Sequence, residues 1–185
     1  ILDSSNSMWS QIDGENKVVH VRTTLDSAFA RLSGKAEAGV VSFGHREQKV
    51  CKDIETVIPV GNIDRDVYAQ IVNGLKPKGA TPIAAALQQA TEAGTNPDRQ
   101  AGSFDLALIY DGPDNCAGDP CQVAADLKRQ YPALRIHAIA FKKSDLEELR
   151  GLACVANATG GTFFTASSKI ELQSAVDAIT AIALN

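Results

Sequence analysis

The chain has 185 residues, of which 44% are apolar and 22% charged, with a formal charge of -4. These values fit one soluble globular domain with its own core. The mild charge gives no footing for nucleic acid as a partner, and no apolar run nears the roughly 20 residues of a membrane span, which excludes direct insertion.

The first residues, ILDSS, read as the end of a strand. A single domain over 1–185 is therefore expected, with its first strand truncated at the N-terminus. Over 15–32, apolar residues at Val18, Val21, Leu25, Ala28, Phe29 and Leu32 recur at helical spacing, and Gly34 ends the pattern. AGVVSFG (38–44) and IETVIPV (54–60) are strands. The loop between them is too short for a helical crossover, which predicts an antiparallel hairpin with the second strand at the sheet edge, where Pro59 is tolerated. Asp64 opens a helix to about Leu75, and Pro82 takes the first position of a helix to about Ala93.

FDLALIY (Phe104–Tyr110) is nearly continuously apolar, as a central strand covered on both faces requires. Asp119 and Pro120 supply the N-cap and first residue of a helix to about Gln130. Leu134–Phe141 is another buried strand. Ser144 with Glu147 and Ser168 with Glu171 both have capping-box spacing, predicting helices that end near Ala158 and Ala183. Between those helices Gly160 and Gly161 break the chain, and TFFTA forms a last short strand. The expected fold class is α/β: a three-layer, Rossmann-like arrangement with a mostly parallel six-stranded sheet, one antiparallel edge strand and helices on both faces.

Open sheets of this kind bind ligands outside the carboxyl ends of their strands. Two aspartates stand there, Asp3 and Asp111. Side chains two apart in an extended segment point the same way, so Asp3, Ser5 and Ser7 can converge. Their oxygens are hard ligands, suited to magnesium, manganese or calcium rather than zinc or copper. Thr81, in KGATP at the mouth of a helix, adds a further oxygen. Taken singly, each residue has a plainer role: aspartate and serine cap turns, and Thr81 is a natural N-cap.

The segments DSSNS, GATP and YDG, in this order on an alternating α/β chain, resemble the von Willebrand factor type A domain. The likeness spans essentially the whole chain. It is especially close to bacterial extracytoplasmic members reading DSSGSMW, VSFGHR, KGATP and DGxxxCxGDPC. The resemblance implies a metal ion-dependent adhesion site built from Asp3, Ser5, Ser7, Thr81 and Asp111. It implies a non-enzymatic protein-interaction module, whose divalent cation (Mg²⁺ first, Mn²⁺ or Ca²⁺ as alternatives) is completed by an Asp or Glu carboxylate of another protein. Met8, Trp9, His45, Arg46, Pro113, Asp114 and Asn115 are candidates for the partner-binding rim. Against these stand ordinary packing for Trp9, a structural role for His45 and a solvated hairpin loop for Arg46. Two positions depart from the family pattern. Asn6 replaces a glycine, which asparagine's tolerance of left-handed backbone can accommodate, and Tyr110 replaces a threonine before the second aspartate.

The four cysteines, Cys51, Cys116, Cys121 and Cys154, permit two disulfides and with them an extracytoplasmic location, periplasmic, secreted or at the cell surface. Buried free thiols are the alternative. Zinc is disfavoured, because only Cys116 and Cys121 lie close in sequence. Cys51 belongs to the edge hairpin and Cys154 to a helix near the other side of the sheet, which argues against a bond between them. A local Cys116–Cys121 bond with two free thiols stays open, as does an arrangement in which both reach outward. The reading leans to Cys51–Cys116 with Cys121–Cys154, which would stiffen the loop after Asp111.

Other functions fit less well. A haloacid dehalogenase-type phosphohydrolase needs an aspartate where Ser5 stands. An EF-hand needs glycine at Met8 and glutamate at Gly14. No nucleophile elbow or phosphate-binding loop is present. A scaffold domain whose metal site no longer functions is the remaining competitor.

Overall fold

Sequence periodicity becomes layering in the computed structural model, which describes residues 1–95, 104–142 and 151–184. In chain order, β1 (Leu2–Asp3) leads through a short 3-10 turn (Asn6–Trp9) into a small antiparallel ribbon of β2 (Gln11–Ile12) and β3 (Glu15–Asn16). Then come α1 (Lys17–Leu32), β4 (Glu37–Phe43), β5 (Ile54–Asn62), α2 (Arg65–Gly74) and α3 (Ile83–Gly94). The chain continues as β6 (Phe104–Tyr110), α4 (Pro120–Gln130), β7 (Leu134–Phe141), α5 (Ala153–Thr159), β8 (Phe163–Ala166) and α6 (Lys169–Ala183). The expected capping box of Ser144 and Glu147 lies outside the described residues.

The main sheet has six strands in the order β5-β4-β1-β6-β7-β8, all parallel except the β5 edge. From β1 the chain moves outward to β4 and β5 on one side, then to β6, β7 and β8 on the other. The strand order therefore reverses between β1 and β6. Alternation along the long apolar strands supplies two cores. Ile109, Ile139 and Phe141 join Val21, Phe29, Tyr68 and Leu172 beneath α1, α2 and α6. Leu108, Tyr110, Ile136 and Ala138 join Ile83, Leu87, Leu127 and Val155 beneath α3, α4 and α5. Each fully buried large aliphatic contributes about 1.5–3 kcal/mol. The fold is thus held by its two faces, leaving the sheet's end free to be polar.

At the edge, Pro59 and Val60 oppose Gly39 alone in a bulge between the Ala38–Gly61 and Val40–Ile58 pairs. A Cβ at Gly39 would sit 2.8 Å from Val60 Cγ2 and 2.9 Å from the Ile58 carbonyl oxygen, so only glycine fits. Below Leu2, the flanks of β4 and β6 border an apolar cleft of about 740 Å³, lined by residues such as Val40, Ile58 and Ile179.

Two element boundaries and one capping contact differ from expectation for local reasons. The helix expected over 15–32 begins at Lys17, because Asp13 (φ 53°) and Gly14 (φ 81°) form a two-residue hairpin turn that draws Glu15 and Asn16 into β3. Pro82 is the N-cap of α3 rather than its first residue. At α6, Ser168 accepts the Glu171 N–H as a capping box requires, but the Glu171 carboxylate returns to Ser167, taking both its N–H (2.6 Å) and its hydroxyl (2.8 Å).

Candidate metal centre

β1 and β6 are neighbours in register, with Leu2 opposite Ile109, so Asp3 and Asp111 come together just beyond the paired residues. Asp3 Oδ1 accepts the Ser5 N–H at 2.7 Å, bending the chain back over the strand end. Asp3 Oδ2 takes the Asp111 N–H at 3.4 Å. The Ser5 and Ser7 hydroxyls are 2.9 Å apart, and Ser7 donates to Asp111 Oδ1 at 2.5 Å. Four of the five expected residues are thus joined in a closed hydrogen-bonded loop, through hydroxyls at Ser5 and Ser7 and through the backbone N–H groups of Ser5 and Asp111 at Asp3. Asp3, Ser5 and Asp111 are buried, while Ser7 lies on the open side.

Thr81 is brought to these loops through its backbone. Ser5 pairs with Gly79 in an isolated parallel bridge, and the Asn6 N–H donates to the Gly79 carbonyl at 3.2 Å. Thr81 is two residues farther along. Among the described residues it hydrogen bonds through its backbone alone: its N–H goes to Asn115 Oδ1 at 2.8 Å and its carbonyl accepts the Asn115 N–H at 3.2 Å.

Two glycines allow these loops to touch. A Cβ on Gly79 would lie 2.5 Å from the Glu47 carbonyl oxygen and 2.9 Å from Gly44 Cα. Gly44 has a left-handed φ of 71°, and a Cβ there would lie 2.7 Å from the Ala80 carbonyl oxygen. The KGATP segment can therefore lie directly on the strand-end loops.

The electrostatics follow from packing two carboxylates into one dry corner. Burial and the neighbouring Asp111 charge push the Asp3 carboxyl up to about 7, against hydrogen bonds from Ser5 and the Asp111 N–H. The corner is short of positive charge. Its donors, two carboxylates and neutral hydroxyls, fit a hard divalent cation. Part of the deficit is met by Lys17, whose ammonium lies 2.8 Å from Asp111 Oδ2, with 6% and 0% of the two side chains exposed. The helical pattern over 15–32 contains this lysine without singling it out. The Asp13-Gly14 hairpin signal was the available clue, since it returns the chain to the site just before α1 begins.

The rim candidates divide. Trp9 is exposed at 45%, and its indole N–H donates to the Pro77 carbonyl at 2.8 Å, which anchors the ring at the surface. Pro113 is also exposed. Met8 is fully buried in the core beneath α1. His45 lies 3.0 Å from Glu55 Oε2, and Arg46 binds Asp53 Oδ1 at 2.7 Å, so both hold the hairpin loop. Burial pushes the Asp53 carboxyl up, but N–H groups of Glu47 and Arg46 outweigh it and hold the group below its ordinary value. Asp114 accepts the Ala84 N–H at 2.9 Å, capping α3 from another loop, and the Cys116 N–H at 2.8 Å. Asp114 and Asn115 therefore bracket the segment that carries Thr81.

Asn6 is not left-handed; it opens the 3-10 turn, so asparagine stands there without backbone strain. Tyr110 is buried in the core beneath α3 and α4, and burial raises its phenol. The disulfides are Cys51–Cys116 and Cys121–Cys154, with Cα atoms 5.6 Å and 5.4 Å apart. The first ties the hairpin loop to the loop after Asp111, and the second ties α4 to α5. All four cysteines are thus engaged, which leaves no thiolate for zinc.

A family model described as von Willebrand factor type A domain matches residues 1–178. The uncharacterized protein YwmC of Bacillus subtilis strain 168 is 24% identical over 180 residues, covering 94% of this chain and 78% of its own. The crystal structure of the conserved hypothetical protein BatB from Bacteroides thetaiotaomicron superposes with a TM-score of 0.76 at 17% identity, over 99% of this chain and 96% of that one. Proximal thread matrix protein 1 of the mussel byssus, solved with a zinc-occupied MIDAS motif, gives 0.73 at 18% identity, over 98% of this chain and 44% of that one.

Proposed function

The chain belongs to the von Willebrand factor type A domain family, a fold that commonly mediates metal-dependent protein interaction, and we propose that it is a non-enzymatic binding module of that kind. The observation that carries the proposal is the hydrogen-bonded loop of Asp3, Ser5, Ser7 and Asp111 at the carboxyl ends of β1 and β6, where the strand order reverses. These four residues, with Thr81 beside them, would hold Mg²⁺. Magnesium keeps several waters in such sites, so one position stays open to a carboxylate from a partner protein. Trp9, an exposed aromatic fixed by its hydrogen bond to Pro77, is the natural anchor on the rim. Two disulfides favour work in an oxidising, extracytoplasmic setting. Among the described residues no helix is long and apolar enough to cross a membrane.

The test is affinity capture from the native source, with Mg²⁺ and with EDTA. The Ser5→Ala/Ser7→Ala variant serves as control, because it removes ligands while leaving the buried Lys17–Asp111 pair intact. Capture that needs Mg²⁺ and fails in this variant supports the module. Equal capture in EDTA would mean a scaffold.

A further inference from the structure

We propose that Lys17 is the resident counter-ion of this centre: its ammonium holds Asp111 while no metal is bound and competes with a divalent cation for the same carboxylate. The proposal rests on the metal reading of the hydrogen-bonded loop and adds what sets the affinity of that site.

Three observations converge on it. First, the pair is dry and direct, at 2.8 Å with both side chains almost wholly buried. A buried ammonium requires a partner, and a buried carboxylate beside a second carboxylate requires a cation. Second, Lys17 stands at the first position of α1, where the helix dipole disfavours a positive charge and no acidic residue occupies the first turn. Helix energetics give no reason for a lysine here; the carboxylate across from it does. Third, a dedicated piece of chain delivers it. The β2–β3 ribbon turns at Asp13 and Gly14, and the Lys17 N–H closes onto the Ser10 carbonyl at 2.9 Å, fixing the start of α1 against the site loop.

The charge count then gives a direction. With both carboxyls ionised, the lysine lowers the net charge of the metal-free centre from two negative to one, and its pull on a divalent cation is weakened accordingly. A unit charge a few ångströms from such an ion in a partly dry corner changes its affinity by at least about tenfold. The lysine also keeps the two aspartates from repelling each other when the cation leaves, so the loop stays formed between binding events.

Calorimetric titration of Mn²⁺ and Mg²⁺ into the metal-free chain, Lys17→Met and Lys17→Arg tests this. Thermal melts in EDTA are run alongside. Lys17→Met is expected to bind Mn²⁺ at least about tenfold more tightly than the natural chain and to melt lower in EDTA. Lys17→Arg, which keeps the charge, is expected to stay within about threefold. Equal or weaker binding by Lys17→Met overturns the counter-ion role while leaving the metal reading intact. Binding by Lys17→Met but not by the natural chain upholds the lysine's competition and overturns the module as a metal binder. Absence of binding in both overturns both. Should Lys17→Met fail to fold in EDTA, recovery of its circular dichroism spectrum on adding Mn²⁺ supports the role, and no recovery contradicts it.

Discussion

Strand β6 carries an aspartate near each end, and the two have been put to different uses. Near its start, Asp105 receives the Arg135 guanidinium fork at 2.7 Å and 2.9 Å and lies 3.2 Å from His137 Nε2. His137 Nδ1 accepts the Thr162 N–H, so Nε2 carries the hydrogen and donates it in a hydrogen bond to Asp105. Just past its end, Asp111 shares a corner with Asp3, and the lysine there pairs with Asp111. Burial pushes Asp105 up, but His137 and Arg135 more than reverse this and hold it below the usual carboxylate range. Asp3 moves the other way, to about 7. A carboxylate whose donors are saturated is structural; two that share too little positive charge are, on the proposed reading, where a cation would bind.

The largest expected effect comes from cutting the buried pair. Asp111→Ala should cost the metal-free chain about 3–5 kcal/mol in urea unfolding, because Lys17 is left buried and alone. Adding Lys17→Met should recover most of it. Asp105→Ala should cost less, about 1–3 kcal/mol, since partly exposed Arg135 can turn to water and only the neutral donor of buried His137 is left unpaired. Equal losses at both ends would erase the distinction.

Next comes the staple over the metal end. Cys51→Ser/Cys116→Ser opens a link between residues 65 apart in sequence. It should lower stability by about 2–4 kcal/mol. Its Mn²⁺ affinity in calorimetry should fall as well, which loss of a disulfide remote from the site would not cause. Gly79→Ala places a methyl 2.5 Å from the Glu47 carbonyl and should cost about 1–3 kcal/mol, read as a lower melting temperature.

The smallest effect is at the Asp105 end and depends on pH. A carboxyl held below its ordinary value adds stability that is present above the unfolded-state value of about 3.9 and is lost as pH falls through the lower folded value. The difference in urea midpoint between the natural chain and Asp105→Asn should therefore be full at pH 5 and shrink below about pH 4. A gap that stays constant to pH 2.5 would show that the ion pair is not its source.

The residues on strand ends were legible in the sequence because strand periodicity fixes where a strand stops, and Asp3 and Asp111 stand where ligands gather in such sheets. The edge hairpin was legible for a related reason, a short connection; the cysteine pairing was not, since strand order argued only against Cys51–Cys154 and a local Cys116–Cys121 bond stayed open until the structure paired Cys51 with Cys116 and Cys121 with Cys154. Lys17 was hidden because polar Glu15 and Asn16 fit the first turn of a helix as well as a strand, masking the ribbon that brings it back. Asp114 and Asn115 read as exposed loop residues because acceptance of a distant backbone N–H leaves no pattern in the sequence. Met8 followed the site motif closely enough to pass for rim, yet the 3-10 turn points it into the core.

The central claim is that Asp3, Ser5, Ser7, Thr81 and Asp111 form one hard-cation site. Titration of Mn²⁺ into the metal-free chain, followed by loss of the free-ion electron paramagnetic resonance signal, tests it most directly. The account predicts a single bound ion in the natural chain and in Asp105→Asn, and none in Ser5→Ala/Ser7→Ala. No bound ion in the natural chain, or undiminished binding without the two serines, would contradict it.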